Sequence, residues 1–174
     1  MKQIKDRLTK QITNLYRIRA LRDFDDVKAG DLGGFIEDET NLSHDGNCWV
    51  YDDATVFCNA VVSDHAKVRH LSQVRGHVYG NAHVSGAARV LADAHIYDHA
   101  HVSYDATVFS YARVYGHARV CGSACIYSHA KIYNYAVING RAKIYGKVYG
   151  NARVGGSCEV YQSDNVVKII DKTE

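Results

Sequence analysis

Residues 82–111 read AHVSGA ARVLAD AHIYDH AHVSYD ATVFSY, five consecutive units of six residues with one pattern. Each unit begins with Ala and has Val or Ile two positions later, and this aliphatic position recurs on every sixth residue from Val78 to Ile144. Such a period matches neither the turn of a helix, about 3.6 residues, nor strands of ordinary length. It fits a short strand whose Ala and Val both point inward, followed by a tight corner.

Three such sides close a triangular coil, and successive coils stack about 4.8 Å apart with parallel backbone pairing. The aliphatic frame extends outward from the central block to Ile36 and to Val160. The sequence therefore predicts an all-β protein, a parallel β-helix of hexapeptide repeats with about seven triangular coils over residues 36–161.

The frame shortens by two residues at two places, within residues 74–78 and within residues 144–148. Counting the sides in threes places both at the same corner, four coils apart. Gly76 and Gly146 stand there in place of Ala, which is typical of a tightened corner.

The two flanks lack the repeat and are predicted to be caps. Residues 1–35 form the N-terminal cap: Ile4, Leu8, Ile12 and Leu15 predict a short basic amphipathic helix, residues 16–20 alternate like a strand, and the run to Gly33-Gly34 indicates turns. Residues 162–174 form the C-terminal cap, in which the apolar run Val166–Ile170 is expected to lie across the last coil.

Composition excludes several classes of protein. The net charge of +2 gives no general attraction to nucleic acid or membrane, and the five cysteines contain no CxxC pair, which argues against a disulfide framework or a structural zinc site. The first residues lack the apolar stretch of a signal peptide, and no run of about 18 apolar residues occurs. A soluble cytoplasmic protein without membrane contact is expected.

The repeat resembles the hexapeptide repeat of left-handed β-helix proteins. The segments that lead into it, Tyr16–Phe24, Gly30–Glu37, Asn41–Ser43 and Cys48–Tyr51, resemble a family of phage and prophage proteins whose members are often named as transferases. The resemblance implies the fold, a left-handed coil and a phage origin, and hence the cytoplasm of a host cell, but no shared activity. Many hexapeptide-repeat relatives are acyltransferases that form trimers and hold a catalytic His in the cleft between subunits.

Histidine is the first candidate for chemistry, because the chain has ten of them. Most occupy recurring positions of the repeat, which favours a surface role over a unique catalyst. The central block also has no insertion that would cover a thioester. An acyltransferase that uses acetyl-CoA would need neighbouring subunits to build the cleft, with His99 or His117 as general base.

A metal site is the second candidate. His95, His99 and His101 are close in sequence, and His99 and His117 are one coil apart. No carboxylate or Cys is clearly placed to complete a tetrahedral set, although Asp98 and Asp105 are near. No metal site is predicted.

The outward surface is the most informative candidate. On the side that carries Val78, the residues flanking each inward aliphatic residue point outward and repeat from coil to coil as cations beside aromatics. The predicted binding residues on this side are Tyr79, Tyr97, Arg113, Tyr115, Lys131, Tyr133, Lys147 and Tyr149. A second side carries Phe57, Phe109, Tyr127, Tyr145 and Tyr161, and the third carries Ser85, Ser103, Cys121 and Asn139. Aromatic ladders can mark an interface, or can simply reflect tyrosines that stack on their own copies.

Three functions remain open. The first is a non-catalytic binding protein without a cofactor, a homo-oligomer (dimer or trimer) that presents this rigid surface to a host protein, or to a nucleic acid or anionic small molecule. For a phage protein, the natural targets include host defence machinery. The second is the acetyl-CoA acyltransferase, and the third is a structural or filament-forming module.

Overall fold

The computed structural model describes residues 1–5 and 12–172, and it is a parallel β-helix with three faces. The first face consists of the strands Leu32–Ile36, Thr55–Val56, Gln73–Val74, Arg89–Val90, Thr107–Val108, Cys125–Ile126, Lys143–Ile144 and Glu159–Val160. The second face consists of Val61–Val62, His77–Val78, His95–Ile96, Arg113–Val114, Lys131–Ile132, Lys147–Val148 and Asn165–Val166. The third face consists of Trp49–Val50, Lys67–Val68, His83–Val84, His101–Val102, Arg119–Val120, Val137–Ile138, Arg153–Gly156 and Ile169–Lys172.

Each coil runs from the first face through the second to the third, and the pairing between coils is parallel and in register. The eight parallel strands of the first face give about eight coils, one more than the predicted seven. The prediction of an all-β parallel β-helix is confirmed. No helix among the described residues is long and apolar enough to cross a membrane.

The core is a single column of Ala and of Val or Ile. From Ala82 to Ala142 every inward Ala and every inward aliphatic side chain is completely shielded from solvent, with Ile96 and Ile126 among the largest. Full burial of one such aliphatic side chain contributes about 1.5–3 kcal/mol. The backbone is satisfied between coils, as in the bond from the Tyr97 N–H to the Val114 carbonyl at 3.0 Å.

The corners explain why Gly, Asn and Asp fill the ends of the repeat. At the corner after the second face, Asp98 and Gly116 occupy equivalent places in successive coils with φ of 56° and 67°. This left-handed region favours Gly and tolerates Asp and Asn. The Asp98 carboxylate also accepts a hydrogen bond from the Gly116 N–H at 3.0 Å, so the side chain joins two coils at their corner.

The two shortened corners lie where the frame predicted them, each between a first-face strand and the following second-face strand. At Gly76 a Cβ atom would lie 2.5 Å from the Ala94 carbonyl oxygen of the next coil. At Gly146 it would overlap the Tyr161 carbonyl oxygen. Glycine is therefore required at both corners because the backbones approach too closely for a side chain.

The N-terminal cap differs from the prediction. The predicted helix over residues 1–15 is wrong, because β1 (Lys2–Lys5) and β2 (Ile12–Arg19) are strands that pair antiparallel, whereas Leu8 lies outside the described residues. β2 also pairs antiparallel with Leu32–Ile36, so it continues the first face beyond the first coil. The open edge of that face supplies backbone partners to a strand, and this outweighs the helical spacing of the apolar residues.

Two further predictions are wrong, the turn at Gly33-Gly34 and the placement of Val166–Ile170 across the last coil. Gly33 and Gly34 lie inside the buried strand Leu32–Ile36, where added Cβ atoms would come within 2.5 Å of the Val50 carbonyl and 2.6 Å of the Ala54 carbonyl. In the C-terminal segment 162–174, Asn165–Val166 and Ile169–Lys172 pair in parallel with the coil below and form the last two sides of the eighth coil. They do not lie across its end.

Candidate functional site

Five tyrosines of the second face stack into one ladder, named here the tyrosine ladder: Tyr79, Tyr97, Tyr115, Tyr133 and Tyr149. Neighbouring ring centroids are 4.9–5.1 Å apart and the planes differ by 1–5°. The spacing follows from the fold, because parallel in-register coils repeat the same outward position at the distance between strands. The sequence prediction that these residues share one surface is confirmed by the geometry.

Three phenols of this ladder, those of Tyr79, Tyr97 and Tyr115, have a pKa above the ordinary value. Burial raises the pKa of Tyr97 to about 12, and the rings of Tyr115 and Tyr79 on either side act in the same direction. Burial also raises the pKa of Tyr79 and of Tyr115 above the ordinary value. The ladder therefore offers a row of half-buried rings with hydroxyl groups that can both donate and accept hydrogen bonds.

A second row runs beside the ladder on the same face. In this row His77, His95, Arg113, Lys131 and Lys147 follow one another in register. Its last three members, named here the basic column, form no ion pair within the described part of the chain. Three adjacent cations that are not ion-paired can attract an anionic group.

The two histidines of this row lie in a different environment from the basic column. The rings of His77 and His95 stack at 4.8 Å, and the Nδ1 atom of His95 is buried without a hydrogen-bond partner in residues 1–5 and 12–172. Burial lowers the pKa of His95, and the neighbouring His77 and Arg113 lower it further. The imidazole of His95 is thereby held in its neutral form.

His99 and His117, the predicted alternative catalytic residues, stack on each other at the corner after the second face. Their ring centroids are 4.9 Å apart, and Tyr135 extends the stack at 5.0 Å from His117. Both imidazoles are exposed, and neither is hydrogen-bonded to a carboxylate in the described part of the chain. Because each follows a ladder tyrosine by two residues, the predicted binding residues and the predicted catalytic residues occupy the same edge of the β-helix.

The structure does not gather these histidines into a metal site. The described residues contain no cluster of three or more His, Cys, Asp or Glu side chains that could hold an ion. His101 lies on the third face, where its ring stacks on His83 at 4.9 Å, and the Asp98 carboxylate binds the Gly116 N–H.

The other two faces are less continuous. On the first face Tyr127 stacks on Tyr145 at 4.7 Å, whereas Phe57 is covered by Leu15 and Phe35 of the N-terminal segment. The third face is covered at its start by the same segment. There Lys67 binds Asp25 at 2.7 Å, and a second contact joins Arg69 to Asp26 at 3.1 Å. The second face is therefore the one that is both ordered along its length and open to a ligand.

A cavity of about 510 Å³ lies at the start of the β-helix, and the sequence did not predict it. This cavity, named here the end pocket, is lined by Ile18, Phe24, Ile36, Leu42, Cys48 and Trp49, with Arg19, Arg22, Glu39 and His44 at its rim. It forms between segments that are distant in sequence and share no repeat. The only signal in the sequence is the loss of the regular Ala and Val frame between Ile36 and Cys48.

Comparison with known proteins agrees with the fold and offers one activity. Residues 112–128 match the model of the YdcK β-solenoid repeat family, a segment that contains Arg113, Tyr115 and His117. Over 77 residues the chain is 43% identical to a protein of Escherichia coli (strain K12) named "Uncharacterized acetyltransferase YdcK". The alignment covers 44% of this chain and 24% of that protein, so this chain spans about a quarter of the relative's length. These likenesses support a hexapeptide-repeat β-helix family for the chain, whereas the phage origin stays a prediction.

Proposed function

We propose that this chain is the β-helical part of an acyltransferase that uses acetyl-CoA. The observation that carries the proposal is the 43% identity over 77 residues to a protein named as an acetyltransferase. Within this chain, two features of the second face support it. The basic column lies on one side of the tyrosine ladder, and the exposed imidazoles of His99 and His117 lie at the corner on its other side.

The chemistry assigns a role to each of the two rows. Arg113, Lys131 and Lys147 pair with the phosphates of acetyl-CoA, which are anionic at neutral pH. An imidazole, that of His99 or His117, accepts the proton from the acceptor's hydroxyl or amine as the acceptor attacks the thioester carbonyl. The carbon–sulfur bond then breaks, the imidazolium returns the proton to the departing thiolate, and free coenzyme A leaves while the acetyl group stays on the acceptor. Because both imidazoles are exposed, a neighbouring subunit has to supply the opposite wall of the cleft.

Calorimetric titration with acetyl-CoA tests the proposal. The triple variant Arg113→Gln, Lys131→Gln, Lys147→Gln should bind at least about tenfold more weakly, because three phosphate contacts are lost. The matched control is Arg89→Gln, Arg119→Gln, Arg153→Gln, which removes the same charge from the other two faces and should bind as the parent does. Absence of heat at millimolar acetyl-CoA would contradict the proposal.

A second titration separates binding from chemistry. The double variant His99→Gln, His117→Gln should keep the affinity for acetyl-CoA and lose thiol release in the presence of an acceptor, because only the general base is removed. Unchanged thiol release in this variant would show that neither His99 nor His117 is the general base.

The tyrosine ladder favours a second candidate, a non-catalytic binding protein. Five stacked rings with hydroxyl groups, beside three cations, offer the aromatic and basic chemistry that is enriched in protein interfaces. In this case the second face docks a partner protein, a second copy of the chain included, and no reaction follows.

The variant Tyr97→Ala, Arg113→Ala, Tyr115→Ala tests the second candidate. It should shift the sedimentation coefficient from an oligomer to a monomer, or abolish binding to a partner, while the circular dichroism spectrum stays that of the parent. The matched control is Tyr127→Ala, Lys143→Ala, Tyr145→Ala on the first face. If the second-face variant assembles and binds as the parent does, the ladder serves only the fold.

A further inference from the structure

We propose that the end pocket is a binding site for a small molecule with an apolar body and a carboxylate group. The pocket lies at the N-terminal end of the coil, away from the long second face, and nothing in the proposed acyltransferase reaction uses it. Its volume of about 510 Å³ falls within the range of small-molecule sites in proteins, roughly 300–1,000 Å³.

The pocket exists because the first coil is covered on only two of its three sides. β2 pairs over the first face, and Phe24 and Val27 pack over Trp49 on the third face. On the second side, Leu42 has a bridge to Val62 of the next coil and no strand above it in the described part of the chain. The inward side chains at this end are therefore left facing a space.

Burial of the lining shows the same asymmetry. Val56 and Val62 in the second coil are fully shielded, whereas Ile36 and Leu42 directly above them are only partly buried. Apolar side chains that line an unfilled space lose packing contacts and transfer free energy. An apolar ligand recovers both, so the structure gains stability when the pocket is filled.

The floor of the pocket is uncharged. The Cys48 thiol donates to the Ser43 carbonyl at 3.3 Å, and burial raises its pKa to about 11, so it stays protonated. With Ile36, Leu42 and Trp49 around it, the floor carries no ionised group that would bind a charged ligand.

The rim is basic and supplies the headgroup site. Three basic residues, Arg19, Arg22 and His44, line it together with one acidic residue, Glu39. The Nη2 atom of Arg22 donates to the Gly46 carbonyl at 2.9 Å, which holds the guanidinium in place and leaves its other nitrogens available. The side chain of Arg19 is exposed and makes no hydrogen bond within residues 1–5 and 12–172. A guanidinium binds a carboxylate through two parallel hydrogen bonds, and this complementarity selects an anion.

The single tryptophan of the chain provides the readout, because Trp49 lines the pocket. Decanoate is the probe, and decanol, which has the same chain length and no charge, is the control ligand. Titration of the whole chain with decanoate should give a saturable change in Trp49 emission, and decanol should bind at least about tenfold more weakly because the ion pair is missing.

Two variants keep the test sharp. Arg19→Gln changes an exposed side chain that makes no hydrogen bond or ion pair in the described part of the chain, and it should weaken decanoate binding while leaving decanol binding unchanged. Arg153→Gln, at the far end of the third face, is the matched control and should bind both probes as the parent does.

Three outcomes would overturn the proposal. These are the absence of a Trp49 response at millimolar decanoate, equal binding of decanoate and decanol, and an equal loss of affinity in Arg153→Gln and Arg19→Gln. End-to-end association in sedimentation without a decanoate response would assign the pocket to a second copy of the chain instead. None of these outcomes depends on whether acetyl-CoA binds the second face.

Discussion

The middle of the β-helix and its N-terminal end solve the same packing problem in different ways. In the middle, every coil is buried between two copies of itself, and Ala with Val or Ile fills the core without a single exposed inward side chain. At the end, the first coil has a neighbouring coil on one side only, and Leu15 of β2 packs with Phe35 and Phe57 in a separate cluster. A coil thus buries its core completely only when it is stacked between two similar coils, and the terminal coil needs contacts from residues outside the repeat.

The contacts that cover the N-terminal end of the β-helix are polar as well as apolar. The Lys67 ammonium is nearly buried and binds both the Asp25 carboxylate at 2.7 Å and the Asn47 carbonyl at 2.8 Å. Buried Asn41 donates to the carbonyls of Cys58 and Ala60 at 2.9 Å each. The end pocket lies at this same end. Specific polar contacts and an unfilled cavity therefore occur side by side where the repeat stops.

The largest expected effect comes from replacing one inward Ile with Ala, once in the middle of the β-helix and once at its N-terminal end. Ile126→Ala in the middle should lower the free energy of unfolding by about 2–5 kcal/mol, because the side chain is fully shielded and neighbouring coils cannot close the gap. Ile36→Ala at the end should cost less than about 2 kcal/mol, since that side chain already borders a cavity. Urea titration measures both. Equal losses would remove the distinction between the regions.

A smaller effect is expected from the ion pair that fastens the cap. Lys67→Met should lower the free energy of unfolding by about 1–3 kcal/mol, because it leaves Asp25 and the Asn47 carbonyl without their shared donor. It should also increase proteolysis within residues 21–31. The matched control is Lys131→Met, because Lys131 has the equivalent strand position on another face. This variant should keep the free energy of unfolding within about 0.5 kcal/mol of the parent. A parent-like Lys67→Met would show that the apolar cluster alone holds the cap.

The tyrosine ladder is expected to contribute little to stability. Tyr115→Ala removes two stacked contacts, with Tyr97 and Tyr133, and should cost about 0.2–1 kcal/mol. Thermal unfolding followed by circular dichroism measures it. A much larger loss would mean that the ladder exists for the fold, which would weaken both proposals for the second face.

The last prediction concerns pH and applies to the middle of the coil. Burial lowers the pKa of His83, His95 and His101 in the folded chain below the ordinary value of 6.5. Protonation is therefore easier in the unfolded chain, so the stability from these residues is complete above about pH 6.5 and is lost as the pH falls through and below that value. The melting temperature should fall between about pH 8 and about pH 5.5, and His83→Asn with His101→Asn should flatten this slope. An equal slope in parent and variant would contradict the assignment.

Much of the candidate site follows from the sequence, and the reason is local. Tyr97 and Tyr115 are one coil apart in a regular repeat, so their stacking needs only the period and the strand spacing. The relation of His99 to the ladder follows in the same way. The end pocket does not, because its walls come from Ile18, Leu42 and Trp49, which no period connects.

The sequence by itself determined the three faces, the inward column, the shortened corners at Gly76 and Gly146 and the order of side chains along the second face. Each of these depends on contacts between neighbouring copies of one unit, and the period specifies such contacts. Only the tertiary structure decided that residues 2–5 and 12–19 are antiparallel strands, that Gly33 and Gly34 lie within a strand and that the C-terminal segment forms two sides of an eighth coil. At the ends, backbone groups pair with whatever edge is open, and the availability of that edge is a property of the folded coil.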